Sequence, residues 1–235
     1  DIQLSTLLIV RHAQASFGAD DYDQLSELGY TQSSHLAQWL QKQPKTLDRI
    51  VCGPCKRHMQ TAEASLKLMP KIPQDVEIID ELDEFDAFRL FGWLMQRDED
   101  PRSEQLRMLM LNRDKGGGRE LGQLLESLTL EWARGDYVVP GMPTWAQTRE
   151  RMEAGIQKIR TSIGSGERVA LFTSGGPVGV AIGQALELSD EKTMKMCWAV
   201  YNASISRFFV NGPEFNLDSI NSLPHLQDES LLTRR

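Results

Sequence analysis

Residues 8–16, LIVRHAQAS, end an apolar run in the pair Arg11 and His12. A strand that stops there would place a guanidinium and an imidazole at its carboxyl end, the edge at which open α/β sheets bind ligands. A guanidinium binds phosphate oxygens through paired hydrogen bonds, and an imidazole can attack phosphorus. The pair is equally compatible with a strand end that carries two polar residues, because a dipeptide is a weak signal. Phosphoryl chemistry is therefore a hypothesis that the rest of the chain has to support.

Three further segments place polar residues or glycines just after predicted strands: PCKRHMQTAEAS at 54–65, LDEF at 82–85 and LFTSGGPVG at 171–179. They contribute Arg57, Glu84, and the pair Ser174 and Gly175 at the start of a helix. Free N–H groups at a helix N-terminus bind anions. Each residue alone also fits a plainer interpretation, as a solvated helix residue, a surface charge or a tight turn. Because all follow strand ends, we expect them to converge on one crevice.

The elements that position these residues follow from short apolar runs that alternate with helical patterns. The predicted strands are Thr6–Val10, Asp48–Cys52, Val76–Ile79, Arg168–Phe172 and Ser204–Val210. The predicted helices are Leu28–Gln41, Lys56–Met69, Thr144–Ile163 and one that opens at Gly175-Gly176-Pro177. This alternation predicts an α/β fold with a central, mostly parallel sheet flanked by helices.

Two regions stand outside this alternation. Residues 87–134 are helical in pattern, broken at Asp100-Pro101 and at the glycines 116–118, and the block from about 87 to 142 predicts a helical cap inserted on the sheet. Residues from Pro213 onward show little periodicity and predict a polar tail. The final pair, Arg234 and Arg235, is expected to be disordered.

The composition argues against several classes of function. The chain has 235 residues, 40% hydrophobic and 25% charged, which is ordinary for a globular protein. Its net charge of −7 argues against a binder of nucleic acids or acidic membranes, since both need a basic face. No apolar run approaches the roughly 20 residues of a membrane span. Three cysteines, and an opening stretch without the features of a signal peptide, predict a cytoplasmic protein.

In order and spacing, these motifs resemble those of the histidine phosphatase superfamily, whose fold is the phosphoglycerate-mutase-like fold. The family's Arg-His-Gly appears as Arg11-His12-Ala13, and its LT..G..Q segment resembles LSELGYTQ at 25–32. Its SP..R..QTA segment resembles GPCKRHMQTA at 53–62, and its L.E segment matches Leu82-Asp83-Glu84. The resemblance runs from about residue 6 to about residue 210. It implies a single three-layer α/β domain over residues 1–235.

The resemblance also implies a mechanism for phosphomonoester hydrolysis. His12 would accept the phosphoryl group, with a backbone carbonyl fixing its tautomer, while Arg11 and Arg57 hold the phosphate oxygens. Glu84 would give a proton to the leaving group and then act as base for water. Ser174 and Gly175 would complete the phosphate site. No metal or cofactor is expected, and the partner would be a phosphorylated small molecule or a phosphoprotein. The sequence predicts no oligomeric state.

One departure from the family pattern concerns a second histidine, whose position is Ser174 here. A hydroxyl donates a hydrogen bond but carries no charge, and losing such a donor typically costs on the order of 10²–10³ in rate. We expect the neighbouring glycines to leave room for a histidine at 174, so that Ser174→His would raise turnover. We do not expect His58 to fill the gap, because it follows Arg57 and helix neighbours point about 100° apart. His35 and His225 cannot be placed.

A second departure is Gly18, which stands where family mutases and many phosphatases carry a phosphate-binding asparagine. Together the two departures favour a phosphatase, of unknown substrate, over a mutase. The alternative is a catalytically impaired member that binds phosphorylated ligands.

An alternative from another class is a dithiol oxidoreductase, because Cys52-Gly53-Pro54-Cys55-Lys56 matches the thioredoxin active-site string between a strand and a helix. A dithiol there would have a lowered pKa. Against this function, Val51 replaces the usual tryptophan, and the Gly-Pro also fits the phosphatase motif. A disulfide between Cys52 and Cys55 that perturbs Arg57 is a hypothesis for regulation. Cys197 is predicted to be a core thiol.

Four aromatic residues of the cap region have two interpretations. Phe85, Phe88, Phe91 and Trp93 could form the wall of a substrate pocket or belong to the core of the helical insertion.

Overall fold

The computed structural model describes residues 4–16, 23–69, 73, 75–111 and 118–234. Within these residues one sheet contains six strands: β1 (Ser5–Arg11), β2 (Arg49–Cys52), β3 (Val76–Ile78), β4 (Arg168–Thr173), β5 (Ile205–Asn211) and β6 (Glu214–Ser222). Their order is β3-β2-β4-β1-β5-β6. The first four run parallel, and β5 and β6 join antiparallel at one edge. The prediction of an α/β fold with a mostly parallel sheet is confirmed.

Helices cover both faces of the sheet. They are α1 (Glu27–Gln41), α2 (Lys56–Leu66), α3 (Ala87–Met95), α4 (Pro101–Leu111), α5 (Gly118–Arg134), α6 (Trp145–Ser162), α7 (Gly175–Ala185) and α8 (Asp190–Ala199). Alternate residues of β1 point to opposite faces, as the pleat of a strand requires. Leu8 and Val10 pack with α1 and α2. Leu7 and Ile9 pack in a larger core with α3 and with α5 to α8.

The helix boundaries follow local signals. Ser26 caps α1 by accepting the N–H of Gly29, and Thr144 and Gln147 form a capping box at the start of α6. Helix α8 was not predicted, although Ser189 caps it and acidic residues fill its first turn. Its weak amphipathic pattern explains the omission, because periodicity is the main sequence signal for a helix.

The prediction of a polar tail from Pro213 is wrong, since residues 214–222 form β6. This edge strand pairs antiparallel with β5, and Phe215 stacks on Phe208 with ring centroids 4.6 Å apart. Beyond Leu217 its partly covered residues are mainly small and polar, so the alternation that identifies a strand was weak. The prediction of disorder at the C-terminus is also wrong for Arg234, whose guanidinium lies over the Tyr201 ring. Arg235 lies outside the described residues.

The order of the strands brings the predicted site residues together. Strand β4 lies between β2 and β1, with Thr173 beside Arg11 and Phe172 beside Cys52 in the ladders. The chain then leaves these three strands at one edge of the sheet. His12, Ser174 and the turn into α2 therefore lie side by side.

Candidate active site

His12 is placed by backbone hydrogen bonds that extend β1 by one residue. Its N–H donates to the Thr173 carbonyl at 2.7 Å, and its Nδ1 lies 2.7 Å from the Ala13 carbonyl. That carbonyl can only accept, so Nδ1 carries the proton and Nε2 carries the lone pair. Burial lowers the pKa of His12 well below its usual value, and Arg57 and Arg11 lower it further. At neutral pH the ring is an uncharged imidazole whose Nε2 is unprotonated.

Two arginines lie beside this imidazole, and each is held by acceptors at its terminal nitrogens. Arg11 donates through Nη1 to the Val200 carbonyl at 2.5 Å and through Nη2 to the Arg234 carbonyl at 2.7 Å. Arg57 donates through Nη1 to Asp23 Oδ1 at 2.8 Å. Asp23 also accepts the backbone N–H groups at the start of α2, so one carboxylate fixes both the helix and the guanidinium. The two cations form a preorganised site for an oxyanion.

Glu84 lies at the N-terminus of α7. Its Oε2 accepts the Gly176 N–H at 3.1 Å, and its Oε1 accepts the Phe85 N–H at 3.0 Å. Burial raises the pKa of the carboxyl group above its usual value, although these hydrogen bonds and the arginines oppose the rise. A Cβ at 176 would collide with the carboxylate, so a side chain at this position would force a shift. A carboxyl group with a raised pKa is suited to proton transfer.

Ser174 and His58 form a buried pair behind Arg57. Both side chains are fully buried, and Ser174 Oγ lies 2.6 Å from His58 Nε2 and 3.2 Å from Arg57 Nη2. The rings of His58 and His12 have centroids 5.8 Å apart. His58 therefore contacts the residue at the position of the missing second histidine, a contact that the angle between helix neighbours did not predict. The angle between helix neighbours is real, but Arg57 and His58 differ in length and both reach Ser174 from the first turn of α2.

A cavity of about 320 Å³ opens in front of these groups. Its polar wall includes both arginines, His12, Glu84 and the carboxylates of Asp83 and Asp86, and its apolar wall is formed by Phe85, Ala87, Phe88, Leu125 and Trp198. Among the described residues that line it, Arg11 and Arg57 carry the positive charge.

The four aromatic residues of the cap region divide between the two interpretations. Phe85 and Phe88 line the cavity. Phe91 is buried in the core, and Trp93 stacks on Tyr137 with centroids 4.4 Å apart. The pocket interpretation therefore holds for two of the four.

The two cysteines of the thioredoxin-like string are free thiols whose environment opposes ionisation. Burial raises the pKa of Cys52 and of Cys55 to about 12, and Cys55 donates its S–H to Asp83 Oδ1 at 3.0 Å. The expected lowering of the dithiol pKa is wrong, because Asp83 and burial favour the thiol at this helix start. Since the thiolate is the reactive form, the geometry does not favour a dithiol oxidoreductase. Cys197 is a buried core thiol, as predicted.

The remaining candidates lie elsewhere. His35 and His225 line a separate cavity next to Trp39. Gly18 lies outside the described residues. Asp23 was not identified from the sequence, because its contact with Arg57 depends on tertiary packing and on no local motif.

Within the part of the chain that the structure describes, no group of three or more histidine, cysteine or carboxylate side chains could hold a metal ion. In the same part of the chain, no helix is long and apolar enough to cross a membrane.

Residues 7–223 match the family model of the histidine phosphatase superfamily (branch 1). Solved structures with a similar fold include a phosphoglycerate mutase from Bacillus anthracis, at a TM-score of 0.66 and 17% identity over 96% of each chain. A putative α-ribazole-5′-P phosphatase from Escherichia coli aligns with a TM-score of 0.65 and 17% identity over 93% of this chain and 96% of its own.

A third structure is a phosphoserine phosphatase from Entamoeba histolytica in complex with phosphoserine. It aligns with a TM-score of 0.60 and 17% identity over 94% of this chain and 99% of its own. Among curated proteins, no sequence matches this chain significantly. At these identities the structural likeness concerns the fold.

Proposed function

Because the chain belongs to the histidine phosphatase superfamily, we propose that it hydrolyses phosphomonoesters through a phosphohistidine intermediate on His12. Membership of this family supports phosphatase-type activity in general. The observation that carries the finer proposal is the neutral imidazole of His12, which lines one cavity together with two arginines and a carboxyl group of raised pKa.

In the first step, the lone pair of His12 Nε2 attacks phosphorus, and the bond from phosphorus to the ester oxygen breaks. Glu84 donates its proton to the departing oxygen, so the product leaves as an alcohol. Arg11 and Arg57 bind the equatorial phosphoryl oxygens and stabilise their charge in the transition state. The Ala13 carbonyl holds the Nδ1 proton and stabilises the ring as it becomes cationic.

In the second step, water attacks the same phosphorus and the N–P bond breaks. The Glu84 carboxylate takes a proton from the water, which returns the carboxyl group to its starting state. His12 Nε2 regains its lone pair, and inorganic phosphate leaves. The substrate of this cycle is a phosphorylated small molecule that the cavity of about 320 Å³ can admit.

A second candidate function is binding of phosphorylated ligands without turnover. The observation that favours it is Ser174, which stands where the family pattern has a second histidine. A neutral hydroxyl stabilises a transferring phosphoryl group less than an imidazolium does.

The test is hydrolysis of para-nitrophenyl phosphate by the wild type and by His12→Ala, with His35→Ala as the control for loss of a histidine outside the site. We expect turnover in the wild type and in His35→Ala and none in His12→Ala. Acid quenching and ³¹P NMR should detect an acid-labile phosphohistidine in the wild type. Turnover that survives in His12→Ala contradicts the proposal. Phosphate binding without any turnover would establish the second candidate.

A further inference from the structure

His58 and Ser174 make contacts that the proposed mechanism does not use. The His58 Nε2 to Ser174 Oγ distance of 2.6 Å is short, and neither side chain is exposed. Ser174 occupies the N-cap position of α7, yet its side chain caps no backbone N–H. Since serine at an N-cap usually accepts such a bond, the orientation of its hydroxyl is set instead by His58 and Arg57.

The direction of each hydrogen bond follows from what each group can donate. A guanidinium only donates, so Ser174 Oγ accepts from Arg57 Nη2. Burial and, second to it, the charge of Arg57 lower the pKa of His58 to about 3, so the ring is neutral and one of its nitrogens is an acceptor. The other described contact of Ser174 Oγ is His58 Nε2 at 2.6 Å, so this nitrogen is the acceptor for the hydroxyl proton. We therefore assign the ring proton of His58 to Nδ1. The Ser174 O–H then donates its hydrogen bond to His58 Nε2.

This assignment gives one continuous series of hydrogen bonds from His58 on α2 to the arginine at the phosphate site. His58 orders the Ser174 hydroxyl, and Ser174 presents its oxygen to Arg57 Nη2. Asp23 accepts from Nη1 on the other side of the guanidinium, at 2.8 Å. With both terminal nitrogens anchored, the plane of the guanidinium is fixed relative to His12.

We propose that His58 is a positioning residue that acts through Ser174 to orient the Arg57 guanidinium for the phosphoryl group. The imidazole of His58 comes from α2. Ser174, which follows β4, carries the hydroxyl that links His58 to Arg57. The proposal rests on the proposed function only in that Arg57 binds the phosphoryl group.

The experiment is a double-mutant cycle between His58 and Arg57. His58→Phe keeps a ring of similar size but removes the acceptor nitrogen, and it is made in the wild type and in Arg57→Ala. His225→Phe is the matched control, because it replaces another buried histidine in a separate cavity. The readouts are kcat/KM for para-nitrophenyl phosphate, the affinity for vanadate and inorganic phosphate by calorimetry, and Tm.

We expect His58→Phe to lower kcat/KM and vanadate affinity by about 100-fold, the usual cost of misplacing a reacting or binding group by about 1 Å. In the Arg57→Ala background the same substitution should change either quantity less than about 2-fold, because coupled residues are strongly non-additive. Ser174→Ala should match His58→Phe, and combining the two should add no loss. Ser174→Ala also keeps the test open where the ring substitution impairs folding.

Two results would overturn the proposal. A loss in His58→Phe that persists in Arg57→Ala means that His58 contacts the phosphoryl group directly. Unchanged kinetics and affinity, with a Tm change similar to that of His225→Phe, mean that the ring only packs. If the wild type shows no turnover that depends on His12, the proposed function fails, but the anion affinities still measure the coupling between His58 and Arg57.

Discussion

A substitution at Gly176 can displace the proposed proton donor, Glu84, while leaving its carboxyl group chemically unchanged. The Gly176 N–H donates to Glu84 Oε2 at 3.1 Å, so the backbone of α7 approaches the carboxylate closely. An alanine Cβ at 176 would come nearer to Glu84 Oε1 than the 3.0 Å that real Cβ atoms keep, and would lie 3.0 Å from Met152 Cε and 3.1 Å from Phe85 Cδ1. Gly176→Ala must therefore move the carboxyl group, because the two hydrophobic neighbours close off the other directions.

The displacement needed to restore normal contact is about 1 Å, and a misplacement of this size costs on the order of 100-fold in rate. The full loss is expected with phenyl phosphate, whose leaving group needs a proton in the transition state. A much smaller loss is expected with para-nitrophenyl phosphate, whose leaving group needs little protonation. The added methyl group should also destabilise the fold by about 1–3 kcal/mol through overpacking. Each kcal/mol corresponds to about 2–4 °C in Tm for a chain of this size.

The assay compares kcat on the two substrates, with Tm measured by calorimetry. Gly92→Ala is the matched control, because a Cβ at this position of α3 meets nothing within 4 Å. It should leave the kinetics unchanged and stabilise the fold by about 0.5–1 kcal/mol. Wild-type rates of phenyl phosphate hydrolysis in Gly176→Ala would refute the reasoning. An equal loss on both substrates would show that the proton does not come from Glu84.

Three further predictions concern pH, the missing histidine and substrate choice. Formation of the phosphoenzyme needs neutral His12 and protonated Glu84. Its rate should therefore rise as the pH passes the lowered pKa of His12 and fall as the pH passes the raised pKa of Glu84. A pH–rate profile of Glu84→Gln should lack the fall on the alkaline side. Ser174→His should lose activity and about 1–3 kcal/mol of stability, because the His58 ring occupies the space next to position 174. A gain in kcat/KM would contradict this prediction. Phenyl phosphate should exceed 3-phosphoglycerate in kcat/KM by about 10-fold or more, because the lining of the cavity includes two phenylalanines for a phenyl ring, and the carboxylates of Asp83 and Asp86 would repel a second anion. Equal values would count against this.

The part of the site that could be predicted from the sequence follows strand ends. Arg11 and His12 end one apolar strand, and Ser174 follows another. Parallel strands align their carboxyl ends, so the convergence of these residues required only the correct strand assignment. The same reasoning placed Glu84 after the third strand, and in the structure its carboxylate reaches the N-terminus of α7.

Contacts that depend on backbone atoms or on distant packing could not be predicted in this way. The partners of Arg11 are the carbonyls of Val200 and Arg234, and a carbonyl has no sequence signature. The C-terminal segment is kept near the site because the Asn202 N–H donates to the Thr233 carbonyl at 2.8 Å. A charged, aperiodic chain end is usually mobile, so its ordering required the fold to be known.

The thioredoxin-like string shows why a motif needs its environment. A cysteine at a helix N-terminus gains a low pKa when the helix dipole and nearby cations stabilise the thiolate. Here burial raises the pKa of both Cys52 and Cys55 to about 12, and Cys55 also donates its S–H to the Asp83 carboxylate. The sequence matches the thioredoxin motif, but burial and the Asp83 carboxylate raise the thiol pKa values that the motif would lower.

The neutral state of His58 bears on how the site handles charge. A cationic imidazole at this buried position would lie beside Arg57, and an unpaired buried charge costs several kcal/mol. Each arginine instead has an acceptor or a carboxylate at its terminal nitrogens, and the groups behind Arg57 are uncharged dipoles. Dipoles that are already oriented stabilise a transition state without reorganising during the reaction. The activity should therefore depend on the orientation of two guanidinium groups rather than on a third cation, which is why removing the His58 acceptor should cost more than the loss of one neutral hydrogen bond.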